Sequence, residues 1–221
     1  SPDGLKYKFF LRQSIKWSNG DPVTAYDFEY AWKTALSPEL GSKYAYQLFY
    51  VKNGEAYNQG LTTADKVGVK ALDDRTLEVL LEKPTAYFLS LTAFHTLYPV
   101  PRRIVEANPK WAADPKTLVG NGPFKISAWI HNSRIELLKN EHYWDAAKVK
   151  MPKIDFILTE SGSTEIAMFD NNQIDMGENA PPAEYPRLKK EGRLQISPYL
   201  GTYFFAFNVT KAPLDNVKVR Q

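Results

Sequence analysis

The hydrophobic period of this chain changes within its first 36 residues, and that change constrains the fold more than any other feature. Leu5, Tyr7, Phe9 and Leu11 alternate with Lys6, Lys8, Phe10 and Arg12, the two-residue period of a half-buried strand. Asn19-Gly20-Asp21-Pro22 is turn chemistry, with glycine free to take a positive φ and proline fixing its own. Thr24 then stands where a helix N-cap belongs, and Asp27, three residues on, can reach back as in a capping box. Phe28, Ala31, Trp32 and Ala35 follow at i, i+3, i+4 and i+7, a helix face turned to a core. The aromatic density of KWSNGDPVTAYDFEYAW, Lys16 to Trp32, is therefore read chiefly as core. Tyr26 and Tyr30 lie on the opposite side, where a half-exposed surface and a ligand wall are both open readings.

The interleaving continues along the chain. Short helices are expected over Tyr44–Val51 and Gly54–Asn58, strands over Val67–Leu72 and Thr76–Leu81 with Asp73-Asp74-Arg75 as their hairpin, and a helix over Ala86–Leu91 capped by Thr85. Tyr98–Pro101 must be extended, because a residue before proline is pushed out of the α region. It reads as a crossover between structural units. Arg102–Asn108 is expected to be helical. Gly120-Asn121-Gly122-Pro123 turns into a strand, Phe124–Trp129, paired with Arg134–Leu138 across Asn132-Ser133. A strand over Met151–Leu158, helices over Ser163–Phe169 and Pro182–Glu191, and extended runs over Leu194–Tyr199 and Tyr203–Asn208 complete the pattern. Strands and helices without a strict βαβ rhythm give the fold class α/β or α+β with mixed sheets.

Composition excludes several function classes. The net charge is +3, from 28 basic and 25 acidic residues that are scattered, and the densest cluster, Arg187-Leu188-Lys189-Lys190, reads as a solvated helix face instead of a nucleic-acid patch. There is no cysteine, so thiol nucleophiles, thiolate metal sites and disulfide scaffolds are out. Apolar runs such as Ala86–Leu91 are too short to cross a bilayer, and Ser1 is not followed by a secretory leader. His95, His131 and His142 have no ligand spacing for a closed metal site, GNGP lacks the lysine and spacing of a phosphate loop, and neither Ser161 nor Ser163 sits in a nucleophile elbow. Nothing here argues for catalysis, and no cofactor is expected. The ambiguous stretch is QISPYLGTYFFAFN, Gln195 to Asn208, where Tyr199, Thr202, Tyr203 and Phe204 crowd Gly201. A buried strand with a bulge is one reading, and a strand that offers main-chain groups and aromatic edges to an extended ligand is the other.

Five segments, DGLKYKFFLR…IKWSNGDPVTAYDFEYAW, GNGPFKISAW, LLKNEHYWD, IDMG and TYFFAFNVTKAPLDNVKVRQ, together resemble, in order and spacing, the oligopeptide-binding members of the bacterial ABC-transporter solute-binding proteins. The resemblance implies an exported receptor of two lobes joined by a hinge, a periplasmic-binding-protein-like fold of which this chain looks like a fragment, mostly lobe one. Residues 1–101 would be the accessory subdomain of lobe one, 102–200 its main subdomain, and 201–221 the hinge crossing and start of lobe two. The family's ligand-facing positions fall on Tyr44, Phe94, Glu178, Asn179, Ala180, Tyr199, Gly201, Tyr203 and Phe204. Glu178 is open to two readings, a charge facing the ligand or a surface carboxylate capping the helix near Pro182. The implied partners are a peptide ligand and the transmembrane subunits of an ABC permease, with no nucleic acid. The full-length protein would be monomeric, in the periplasm or held to the membrane as a cell-surface lipoprotein. Dipeptides, nickel chelates, haem, sugars and signalling peptides remain alternatives within the family. A carbohydrate-active enzyme with a carboxylate pair across a cleft is the alternative of another class.

Overall fold

The computed structural model describes residues 1–199 and 201–221. Leu200, the boundary residue of the second expected subdomain, lies outside the described residues. Two compact units form, Ser1–Leu158 and Thr159–Gln221.

The first unit holds β1 (Lys6–Phe10), α1 (Ala25–Leu36), α2 (Gly54–Asn58), β2 (Val69–Asp73), β3 (Thr76–Leu80), α3 (Phe88–Leu91), α4 (Arg102–Ala107), β4 (Phe124–Ile130), β5 (Arg134–Lys139) and β6 (Lys153–Ile157). One antiparallel sheet runs β1-β3-β2 with Tyr7 opposite Val79 and Phe9 opposite Leu77. The alternation of β1 thus sends Tyr7 and Phe9 to the same face as Val69, Ala71, Leu77 and Val79, where α1 covers them. On the outer face Lys6 and Lys8 flank Glu78 at 3.4 and 3.7 Å. Within the core, Phe88 lies edge-on to Trp32 at 6.5 Å and beside Tyr7 at 5.0 Å. Trp32 is 2% exposed and its indole N–H donates to the Leu97 carbonyl at 2.8 Å, so a large apolar body is buried without stranding its one donor.

The start of α1 follows the expected spacing. Asp27 accepts the Thr24 N–H at 2.8 Å and the Thr24 hydroxyl at 3.1 Å. Its other carboxylate oxygen takes the Arg102 N–H at 3.1 Å, which joins α1 to the first turn of α4. The turn before it closes as expected, with Gly20 at φ +92° and Asp21 N–H on the Asn19 side chain at 3.1 Å. Trp17 from this stretch is buried with Val23 and Val119 in a second, smaller cluster.

Two expectations are corrected. Thr85 does not cap α3: its hydroxyl turns back to the Lys83 carbonyl at 3.0 Å, and the helix begins at Phe88, whose N–H takes the Thr85 carbonyl instead. The helix expected over Tyr44–Val51 is one 3-10 turn, Ala45–Leu48, with Tyr44 at its N-cap. Leu194–Tyr199 and Tyr203–Asn208 form no ladder with other described residues.

A second antiparallel sheet, β4-β5-β6, turns through Asn132 at φ +59°. Its register sets Trp129 beside Ile135 and Phe156, and Ile126 beside Leu137 and Ile154, giving one apolar face. The other carries Lys153 between Glu136 at 2.6 Å and Asp155 at 3.1 Å, and Lys153 is the first cause that holds the Glu136 carboxyl below its ordinary range. Asn140, fully buried, ties two of the motifs together. Its amide donates to the Gly122 carbonyl at 2.8 Å, its N–H to the Pro123 carbonyl at 2.9 Å, and its side-chain oxygen accepts the His142 N–H at 3.0 Å.

The second unit holds α5 (Gly162–Asp170), α6 (Tyr185–Lys190) and α7 (Val217–Arg220), with a 3-10 turn, Pro182–Glu184, leading into α6. Ser161 caps α5 by accepting the Thr164 N–H at 3.2 Å. In the basic cluster Leu188 is buried, Lys189 and Lys190 are exposed, and Arg187 bonds to Asp170, Glu184 and Glu191 at 3.0, 2.8 and 3.2 Å.

Candidate functional site

In Ser1–Leu158 the fold brings together two of the positions expected to face a ligand. Tyr44, at the N-cap of its 3-10 turn, meets Phe94, at the N-cap of a second 3-10 turn, His95–Leu97, with ring centroids 5.3 Å apart and nearly perpendicular. Tyr46 and His95 complete the group, at 6.1 and 5.5 Å from Tyr44. Phe94 packs on the main core, whereas Tyr44 and Tyr46 are exposed at 44% and 51%. The cluster is thus anchored at one side and wet at the other, the geometry in which tyrosine can stack on an apolar group and still hydrogen-bond. Elsewhere in the same unit Tyr87 donates its hydroxyl to that of Tyr50 at 3.2 Å, which holds the Tyr50 phenol above its ordinary range.

In Thr159–Gln221 the run Glu178-Asn179-Ala180 follows Gly177 and precedes Pro181. The side chains of Glu178 and Asn179 are exposed and Ala180 is half-buried. The amides of Glu178 and Asn179 both donate to one carboxylate oxygen of Glu165 on α5, the second at 2.9 Å. Glu165 is 8% exposed. Its burial had no periodic signal, because an acid in the first turn of a helix ordinarily reads as a solvated partner of the helix dipole. Gly177 lets the two approach closely: a Cβ there would stand 2.5 Å from the Glu165 carboxylate.

The remaining positions lie further along the same unit. Tyr199, Tyr203 and Phe204 are 92%, 86% and 74% exposed. The Gly201 N–H donates to the Tyr199 carbonyl at 3.1 Å, and a Cβ on Gly201 would strike the Tyr199 ring at 2.5 Å. The Tyr203 ring stands edge-on to Phe205 at 5.5 Å.

Among the described residues, no group of three or more histidine, aspartate or glutamate side chains is placed to hold a metal ion. Nor does any helix among them have the length and apolarity to cross a membrane.

The comparisons with known proteins agree with these motifs. The chain is 48% identical over 227 aligned residues to the oligopeptide-binding protein OppA of Bacillus subtilis, covering 100% of this chain and 42% of that protein. It is 41% identical to the dipeptide-binding protein DppE of the same organism, over 100% of this chain and 40% of the relative. Thus it spans about two fifths of the length of these relatives. Among solved structures, the Escherichia coli murein tripeptide binding protein MppA superposes with a TM-score of 0.94 at 35% identity, over 100% of this chain and 44% of that one. Haemophilus influenzae OppA in complex with the peptide RPPGFSPFR gives 0.91 at 35% identity, with the same coverage. Residues 1–221 match, in full, the family described as bacterial extracellular solute-binding proteins, family 5 Middle, and the chain belongs to that family.

Proposed function

We propose that this chain is part of an extracytoplasmic substrate-binding protein of an ABC importer. The full-length protein binds oligopeptides between two lobes and delivers them to the transmembrane subunits of a permease. The observation that carries this reading is the match of the whole chain, at 48% identity, to an oligopeptide-binding protein. In this reading residues 1–101 and 102–200 are the accessory and main subdomains of lobe one, and 201–221 cross the hinge. Tyr44 and Phe94 in the first unit, and Glu178, Asn179, Ala180, Tyr199, Gly201, Tyr203 and Phe204 in the second, are each taken as ligand-facing positions. A receptor for many sequences must grip what peptides share, the backbone, and leave roomy, hydrated space for side chains. The protein acts as a monomer in the periplasm, or at the cell surface on a lipid anchor.

Isothermal titration of the full-length protein with mixed tri- to pentapeptides tests the reading, and saturable heat is the expected result. Heat with dipeptides alone would favour the second reading within the family, a dipeptide receptor, which the 41% identity to DppE keeps in view. Absence of heat with every peptide would remove both. A glycoside hydrolase needs two carboxyl groups facing one substrate. Glu165, the acid that the Glu178 backbone meets, is buried and turned to two loop amides instead of to an open face where a sugar could lie.

A further inference from the structure

Glu165 is a carboxylate buried without a cationic partner among the described residues, and burying a charge is costly unless hydrogen bonds compensate. Here the compensation comes from two consecutive backbone amides, those of Glu178 and Asn179, converging on one oxygen. Charge-assisted bonds of this kind are stronger than neutral ones, so the loop is held where the carboxylate is held. The carboxylate sits in turn on α5, whose first turn is fixed by the Ser161 cap. Gly177 completes the fit, since a Cβ at that position would crowd the Glu165 carboxylate at 2.5 Å and force either it or the loop to shift.

One consequence concerns what a ligand meets. With both amides turned toward Glu165, this run has no free N–H donor at 178 or 179 to offer, and its exposed groups are the carboxylate of Glu178 and the amide side chain of Asn179. Resting on the peptide-receptor reading above, we infer that Glu165 is a positioning residue of the binding site. It fixes the backbone of 177–180 in advance, so that Glu178 and Asn179 are presented to the ligand without the cost of ordering the loop at the moment of binding.

Three variants of the full-length protein test this: Glu165→Ala, Glu165→Gln, which keeps an oxygen acceptor at the same reach, and Gly177→Ala, whose Cβ crowds the carboxylate and forces it and the loop apart. Peptide affinity is read by titration with the mixed tri- to pentapeptides, and local order by hydrogen exchange over residues 177–180. Glu165→Ala and Gly177→Ala are expected to weaken binding by roughly tenfold and to speed exchange over 177–180, with Glu165→Gln between them and wild type. A merely structural role would lower the melting temperature and leave both the affinity of the folded protein and that local exchange unmoved. Binding within about twofold of wild type in Glu165→Ala or Gly177→Ala overturns the inference, and so does a loss of affinity with exchange unchanged. Should Glu165→Ala not fold, Gly177→Ala decides by the same criteria. Wild-type protein that gives no heat with any peptide overturns the receptor reading and this inference together, which separates that failure from one confined to the variants.

Discussion

Two helices of this chain bury a carboxylate to the same degree and for the same kind of partner, yet they build different things. On α1, Asp27 is 8% exposed and accepts the N–H groups of Thr24 and Arg102. On α5, Glu165 is also 8% exposed and accepts those of Glu178 and Asn179. Around Asp27 the helix buries Ala25, Ala31, Trp32 and Leu36, so the acid finishes a hydrophobic surface by satisfying the backbone at its margin. On α5 the acid is itself the buried residue, and no apolar side chain of that helix reaches the same burial. The first arrangement is a core with a polar seam. The second is a polar post that holds a loop, and the difference teaches that burial of a charge marks a fold-bearing joint in one place and a presented loop in the other.

The largest effect should come from the core side of the comparison. Trp32→Ala removes a side chain packed on Phe88 and bonded to Leu97, and loss of a large buried aromatic costs ~3–5 kcal/mol. Chemical denaturation of wild type and variant measures it. Peptide affinity of the folded variant should match wild type, because the indole points into the core; a variant with normal stability and weak peptide binding would place α1 at the ligand and dissolve the contrast.

Asp27→Ala is the direct counterpart of the Glu165 variants. It leaves two part-buried amides without their acceptor, and a lost hydrogen bond typically costs ~0.5–1.5 kcal/mol. Stability should fall in denaturant melts while peptide affinity stays put. An affinity loss equal to that of Glu165→Ala would mean that the two carboxylates play one role.

How far these features were legible in the sequence follows from the distance over which they are encoded. The strand of Lys6–Phe10, the turn at Asn19–Pro22 and the cap of Thr24 by Asp27 depend on spacings of two, three or four residues, and local pattern is enough to find them. The hairpin β2-β3 and the paired strands β4 and β5 were legible for the same reason. Asp27 reaching Arg102, and Tyr44 meeting Phe94, join residues 75 and 50 positions apart, and no periodicity reports such pairs. Tyr44, Phe94 and Glu178 were named only through a resemblance to relatives. Glu165, which holds Glu178 in place, carried no signal at all, because hydrophobic patterning registers apolar burial and is blind to an acid paid for by backbone amides. Thr85 failed in the opposite sense: a good capping residue stood before an apolar run, but its hydroxyl found the Lys83 carbonyl first.

The smallest effect, and the sharpest test of what a carboxylate's partner does, belongs to Asp170 at the end of α5. Its partners are guanidinium groups, Arg187 at 3.0 Å and Arg193 at 2.8 Å, instead of amides. The hydrogen bond from Arg187 is the first cause that holds its carboxyl below the ordinary value of 3.8, with the charges of Arg187 and Arg193 acting in the same direction. A folded-state pKa below the unfolded one means that the pairing contributes stability above the unfolded value and loses it as pH falls through the folded value. Asp170→Asn should therefore lower the melting temperature slightly at neutral pH, and the gap to wild type should close as the pH drops below 3.8. These side chains are more than 30% exposed, so the gap should also shrink between low and molar salt. The deficit of Asp27→Ala should not respond to salt in this way, because its partners are neutral backbone amides in direct contact and not charged groups. Equal salt sensitivity in the two variants would show that Asp27 acts through its charge at a distance, and the parallel with Glu165 would then rest on geometry alone.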